Sequence, residues 1–248
     1  MWLIGIDDTD MPDTRGTGRL ARMVLADLVA RGAVEHGVTR HQLLVHPSVP
    51  YTSHNSSACL AIDAPDGQDT FDHVCRFVAD QSPAGSDPGV CVADAGAVSD
   101  VVMAFGRRAQ CELLTRGEAE ALAADEGLLL AGLAGTRDGM IGALAATGLR
   151  AGGADGRFIG LGTIRELADN VQVRDLLEAG IDAVENHQGV QPSPHDRVAT
   201  LGWARPRLLG GRAVLLVERS DNDGVDWIVA DRRRHGKDPD GGAGAQPH

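Results

Sequence analysis

Aromatic residues make up only 3 % of this 248-residue chain, so its core has to be assembled from Leu, Val, Ile and Ala. No apolar run approaches the ~20 residues of a membrane-spanning helix, and no basic region precedes the first strand as in a secretory signal. A cytoplasmic chain with no membrane partner is the expectation. Cys59, Cys75, Cys91 and Cys111 stand far apart with no C-x-x-C pair, which excludes zinc-ribbon spacing and leaves buried free thiols. No G-x-x-x-x-G-K-[ST] occurs, so the chain has no P-loop. It also lacks basic excess: the net charge is −12 and the pI about 5.1, whereas a general nucleic-acid binder carries a basic face. Arg107-Arg108 and Arg232-Arg233-Arg234 are clusters small enough to read as solvated surface.

What is present is a folded composition, with 43 % apolar residues, spread over strand-like and helix-like segments. The fold class expected is α/β (α+β), mixed sheets flanked by helices. Three regions are expected: 1–150 as a first, larger domain, 151–231 as a smaller α+β region, and 232–248 as a charged, Gly- and Pro-rich disordered tail.

The most informative stretch is the start. Trp2-Leu3-Ile4-Gly5-Ile6 reads as a buried strand ending at Ile6, followed by Asp7-Asp8-Thr9-Asp10 and then Arg15-Gly16-Thr17-Gly18-Arg19. Strand neighbours point to opposite faces, so Asp7 and Asp8 share a pocket only if the chain has left the sheet. Crowded carboxylates raise one another's pKa and oppose folding unless a cation or a solvated loop relieves them. A hard cation such as Mg2+ takes carboxylate oxygens and completes its shell with water and phosphates; a solvated turn is the plain alternative. From Gly18, the residues Leu20, Met23, Val24 and Leu28 recur at helical spacing, and a helix N-terminus beside small residues offers N–H groups to an anion. Gly16 to Ala21 fits G-x-G-x-x-A, but the glycine of a dinucleotide motif follows its strand directly, whereas an acidic loop intervenes here.

Gly5-Ile6-Asp7-Asp8-Thr9-Asp10 with its following Gly-Thr step resembles the kinase-like catalytic domain of the isoleucine-tRNA agmatinylcytidine synthetase family. That family uses ATP and Mg2+ to activate a tRNA cytidine by phosphorylation. The resemblance implies that Asp7, Asp8 and Asp10 hold Mg2+ and nucleotide phosphates, and that Thr17 occupies the place of an autophosphorylated threonine. Gly18 stands where the family has a second threonine. Pro50-Tyr51-Thr52-Ser53-His54-Asn55 is similar in outline to a Pro-aromatic-Lys-Thr-Arg-Gly-Asn segment, with Thr52 and His54 in place of the basic residues; His54 and Asn55 remain candidate ligand contacts. Gly135-Thr136-Arg137-Asp138-Gly139-Met140-Ile141-Gly142-Ala143-Leu144-Ala145-Ala146 is similar to a Gly-rich segment ending in Ile-Gly-Ala-Leu-Ala-Ala. Gly135, Arg137 and Gly139 are therefore candidate phosphate contacts, with Asp138 as N-cap. Tight packing of a small-residue helix accounts for the alanines alone. The likeness runs from about residue 1 to 148, and the family's oligonucleotide-type barrel and zinc ribbon have no counterpart.

Elsewhere the pattern predicts a helix from Gly18 to Arg31, strands at 41–46, 58–62 and 90–93, and a helix at 70–80. Residues 98–103 are undecided between strand and helix. Thr115-Arg116-Gly117-Glu118 is a capping box. Residues 152–162 read as a flexible connection, 165–179 as a helix, and 197–203, 213–219 and 225–231 as strands, the last two joined by an Asn222-Asp223-Gly224 turn. His41 and His46 read as strand-end surface histidines.

These expectations make the chain an ATP- and Mg2+-dependent phosphotransferase or ligase-like enzyme. Asp7, Asp8, Asp10 and Thr17 are its catalytic residues, and Thr9, Gly16, Gly18, His54, Asn55, Gly135, Arg137 and Gly139 contact the nucleotide. The acceptor expected is a small molecule or a protein, because the acidic charge and the absent RNA modules argue against tRNA. A tRNA-modifying enzyme served by a separate RNA-binding subunit, and a non-catalytic nucleotide sensor, stay open, as does a homo-oligomer.

Overall fold

A computed structural model describes residues 1–14, 16–49 and 55–230. Arg15, Pro50 to His54 and the expected tail from 232 onward lie outside the described residues.

The first strand, β1 (Trp2–Asp7), sits inside a mainly antiparallel sheet. It pairs on one side with β3 (Ser56–Asp63) and on the other with β4 (Gly89–Asp94). It runs one residue beyond the expected end, because Asp7 still pairs with Gly89. The alternation of a strand sorts its side chains. Ile4 and Ile6 face a core with α1 (Thr17–Ala30) and α2 (Gly67–Gln81). Leu3 joins the opposite core with Ala146. That second face is covered by α5 (Gly139–Ala151), which packs with α3 (Asp100–Ala109) and α4 (Arg116–Asp125). The result is helices, sheet, helices.

Glycines let α5 lie on the sheet backbone to backbone. A Cβ on Gly5 would collide with the Ala143 carbonyl, and one on Gly148 with the Val102 carbonyl of α3. This close packing accounts for the small residues of α5, ten of whose thirteen residues are buried.

Several expectations need correction. The strand placed at 41–46 is β2 (Val34–Gln42) and ends where that one was to begin. β2 pairs with β3 through a bulge near Gly37, and the glycine and charges there broke the apolar pattern. His41 is fully buried, not a surface residue. Residues 98–103 resolve as the start of α3, capped by the Ser99 side chain. The Thr115–Glu118 capping box forms as expected, and β5 (Leu129–Gly132) closes that edge on β4. The connection expected at 152–162 contains a strand, β6 (Arg157–Gly160), wedged between β2 and β10 (Arg207–Leu209). The helix expected at 165–179 is a turn, then β7 (Asn170–Gln172) and a short α6 (Val173–Glu178).

Beyond β6 the sheet continues through β11 (Arg212–Arg219), β12 (Trp227–Val229) and β9 (Arg197–Ala199) to β7, while β8 (Ala183–Glu185) pairs with β11. The strand expected at 197–203 is cut short at Ala199, where a turn begins. A second core gathers Phe158, Leu176, Leu208, Leu215 and Trp227. Ile159 packs instead into the first core, so adjacent residues of β6 serve both. No helix among the described residues is long and apolar enough to cross a membrane.

The contact between α5 and β1 yields a prediction. Gly5→Ala should cost about 3 kcal/mol or more, because backbone rather than a movable side chain blocks the new methyl. Gly117→Ala, which meets nothing on the surface of α4, should stabilise by up to about 1 kcal/mol. Urea unfolding of both checks this, and equal midpoints would refute the packing argument.

Candidate active site

The end of β1 resolves the two-face problem with a backbone turn. Asp7 remains in the strand, while Asp8 adopts a left-handed conformation with φ 51°, which sends the chain out of the sheet. Asp7 abuts the first turns of α5 so closely that a Cβ on Gly142 would overlap its carboxylate. Asp7 is pushed up to about 7, first by burial and then by the charges of Asp8 and Asp10, against a lowering backbone hydrogen bond at Asp8. Asp8 is pushed up to about 6, first by burial and then by Asp87, Asp10 and Asp138. Five carboxylates therefore feel one another.

Asp87, on the loop before β4, ties the site together. Its backbone N–H donates to the Asp8 carbonyl at 3.1 Å. Its carboxylate accepts from the Thr136 hydroxyl, from the Thr136 N–H at 3.1 Å and from the Arg137 N–H at 2.5 Å. The Gly135-to-Gly139 turn is thus clamped onto the acidic loop. Gly135 (φ 56°) and Arg137 (φ 66°) have left-handed backbones, and a Cβ on Gly139 would collide with the Asp87 carbonyl. Two N–H groups of the turn are spent on Asp87, while the Arg137 side chain is exposed beside the cluster. Asp138 occupies the N-cap position of α5 but makes no side-chain cap.

Thr17 opens α1 and is buried with Thr9. The Thr17 hydroxyl donates to Asp10 Oδ1 at 3.0 Å and accepts from the Thr9 hydroxyl at 3.2 Å and the Thr9 N–H at 3.4 Å. A hydroxyl on a carboxylate at this range is the arrangement of a nucleophile with its base. A Cβ on Gly16 would meet nothing, so packing does not require glycine there; Gly18, by contrast, lies against Ile159.

Asp10, Gly16, Thr17 and Gly18 form one wall of a cleft of about 590 Å³. The rest of its lining comes from β2, β6, the turn near Arg165 and the segment Trp203 to Leu209, and it is rich in arginine. Asp155 is on its floor, where His41 Nδ1 lies 2.8 Å away and Gln110 donates at 3.1 Å. Burial would raise Asp155, but the His41 and Gln110 hydrogen bonds hold it below the usual carboxylate range. His41 is held below its ordinary value by burial, against the pull of Asp155.

Asn55 falls outside both the acidic cluster and the cleft lining. Its side chain donates to the Leu44 carbonyl at 2.6 Å and so closes the 43–55 loop. His54 lies outside the described residues. Sequence pattern passed over Asp87 and the arginines of the cleft wall; the signal available was Trp203-Ala204-Arg205-Pro206-Arg207, a tight pairing of an aromatic with two cations. Arg108, read as solvated, is indeed exposed and paired with Glu112 and Glu118.

Among the described residues no group of three or more His, Cys, Asp or Glu forms a metal cage by itself. The donor chemistry nevertheless fits Mg2+, which needs only one or two carboxylates when phosphate and water supply the remaining oxygens.

No family model and no curated protein matches the chain. Solved structures do. A tRNA fluorescent labeling enzyme is 26 % identical with a TM-score of 0.52, over 59 % of this chain and 35 % of that one. TiaS, a tRNA agmatidine synthetase, in its complex with tRNA and ATP is 25 % identical with a TM-score of 0.53, over 59 % and 36 %. The apo form of TiaS, at 24 % and 0.51 over 59 % and 35 %, shares the fold. The chain thus matches about a third of the length of these proteins. The resemblance noted in the sequence and this likeness point to one fold, that of the matched third of TiaS.

The raised carboxyls set a pH dependence. Asp7 and Asp8 hold protons in the folded state that the unfolded chain has released above about pH 4. Their contribution is therefore intact below that pH and is lost as pH rises towards 7. His41 works oppositely, costing stability as pH falls below about 6.5. Asp7→Asn removes only the first effect, so its melting temperature should exceed the parent's at pH 8 and converge with it near pH 4.5. Parallel melting curves at both pH values would contradict the assignment.

Proposed function

We propose that the chain is an ATP- and Mg2+-dependent phosphotransferase or ligase-like enzyme whose reacting centre is the acidic loop after β1. The observation that carries this reading is the Thr17 hydroxyl hydrogen-bonded to Asp10, next to carboxylates that repel one another. The ATP held by TiaS in its solved complex supports a nucleotide here.

In this reading Asp7, Asp8 and Asp10 would hold Mg2+, Asp7 from its place against α5. The metal, when bound, neutralises charge on the phosphates and on the acids together. Gly16, Thr9 and Gly18 shape the approach to the N–H groups at the start of α1. Arg137 reaches the same phosphates from the turn clamped by Asp87, with Gly135 and Gly139 setting its backbone. Thr17 serves as a transient carrier: its oxygen forms a bond to the γ-phosphorus, the bond from that phosphorus to the ADP oxygen breaks, and the hydroxyl proton passes to Asp10. In the second step the acceptor's nucleophilic atom bonds to that phosphorus while the Thr17 O–P bond breaks, the Thr17 oxygen regains the proton from Asp10, and the acceptor's own proton passes to Asp10 or to solvent. Residues 1–150 form the catalytic region and 151–231 a smaller region that completes the cleft, a division supported by the core around Leu176, Leu215 and Trp227, which draws only on residues beyond 150. A cytoplasmic location belongs to the same reading.

The acceptor in this reading is a small molecule or a protein. A tRNA acceptor is the second reading, favoured by the tRNA bound in the complex of a structural neighbour; a non-catalytic nucleotide sensor would bind ATP without turnover.

Incubation with γ-labelled ATP and Mg2+ should leave label on Thr17, detectable by mass spectrometry. Asp8→Ala should lower ATP turnover by about a hundredfold or more, the scale of lost electrostatic stabilisation. Thr17→Val should abolish the label. Unchanged turnover in Asp8→Ala would overturn the proposal.

A further inference from the structure

The cleft concentrates positive charge in a chain of net charge −12. Arg19 and Arg22 come from α1, Arg40 from β2, Arg157 from β6, Arg165 from the turn after it, and Arg205 and Arg207 from the approach to β10 and its first residue. Among the described residues the lining also holds two carboxylates, Asp10 and Asp155. Both are engaged within the protein, by Thr17 and by His41 with Gln110.

Three of the arginines form a row. Arg40 is opposite Arg157 in the β2–β6 pair, and Arg157 is opposite Arg207 in the β6–β10 pair. The pairing thus presents three guanidiniums side by side along one stretch of the cleft wall. Ser56 fixes one end by accepting from Arg40 Nε at 2.8 Å.

Two more are set on an aromatic. The Arg165 and Arg205 guanidiniums lie 4.4 and 4.6 Å from the Trp203 ring centroid. Stacking orders a guanidinium without neutralising it, leaving its N–H edges for a planar oxyanion. Arg22 donates to the Gly18 carbonyl at 3.0 Å, which anchors it at the mouth of α1. It is held below its ordinary value by burial and then by the nearby charges of Arg165 and Arg19.

We propose that this cleft binds a small molecule bearing two or more phosphate or carboxylate groups, with one anionic group over the Arg40–Arg157–Arg207 row and another between Arg165, Arg205 and Arg22. Its volume falls in the range of small-molecule sites, ~300–1,000 Å³, and seven arginines line this one pocket. Because Asp10 and Thr17 form one wall, the bound molecule lies beside the reacting hydroxyl. It is the acceptor if the proposed phosphotransfer holds; binding itself does not depend on that reading.

The test uses the full chain with inorganic pyrophosphate and fructose 1,6-bisphosphate, titrated by calorimetry in EDTA so that no metal-dependent nucleotide site contributes. Both should bind, while ribose should not. Arg165→Gln with Arg205→Gln should weaken pyrophosphate at least tenfold, and Arg165→Lys with Arg205→Lys should recover part of that loss. MgATP affinity, measured in parallel with Mg2+, should change less than twofold in the Gln pair.

No pyrophosphate binding by the folded parent chain would overturn the proposal. So would an equal loss of MgATP in the Gln pair, which would make the cleft the nucleotide's own site. Tighter binding of a twelve-nucleotide single-stranded RNA that displaces pyrophosphate, with a steep salt dependence, would assign the cleft to RNA instead. Pyrophosphate binding in a parent that fails to bind MgATP would leave the cleft standing and remove the phosphotransfer reading.

Discussion

The direct seating of α5 on β1 is the constraint from which the rest of the site follows. Only Gly5 on the strand and Gly142 on the helix permit it, because any side chain at either position would occupy space held by a backbone carbonyl or by the Asp7 carboxylate. The helix start is thereby pressed against the end of the strand. A carboxylate at the end of an interior strand is thereby half-buried and raised to about 7. Asp87 completes the arrangement by holding the loop of Asp8 and the turn before α5 in one frame.

Charge is then sorted around Thr17. On one side lie Asp7, Asp8 and Asp10, with Asp87 and Asp138 within electrostatic reach of Asp8; on the other lies the arginine cleft. The acids repel one another and so do the arginines, and the two halves meet where Asp10 borders the cleft. In the proposed reading a cation-bearing phosphate would sit on the acidic side and an anion on the basic side. The hydroxyl between them is where a phosphoryl group would cross. Stability given up at this junction is recovered in the two apolar cores.

Much of this was legible in the sequence where local rules act alone. The opening strand, the first helix, the capping box at Thr115 and the strand before the Asn222 turn depend on short-range pattern, and the structure has them. The acidic loop stood out by composition and Thr17 by the family resemblance, and the structure brings Thr9, Asp10 and Thr17 into one hydrogen-bonded group. What failed to show depends on partners distant in sequence. β2 carries Glu35, His36, Gly37 and Arg40, which break an apolar alternation, yet pairing with β3 and β6 makes it a strand. β6 follows a glycine-rich stretch and looked like a linker because both of its neighbours come from far along the chain. His41 looked like surface until Asp155 arrived from 114 residues away. The arginine row is a property of register, and register across three strands cannot be read from one segment.

The central claim is that the acidic loop grips a divalent ion which in turn grips the phosphates of a nucleotide. The most direct measurement is a crystal grown with a non-hydrolysable ATP analogue and Mn2+, recorded at a wavelength where manganese scatters anomalously. The account predicts an anomalous peak about 2.2 Å from carboxylate oxygens of Asp8 and Asp10, with the triphosphate on the same ion and leading towards Thr17. Manganese and analogue found elsewhere, with those carboxylates facing only solvent, would contradict it.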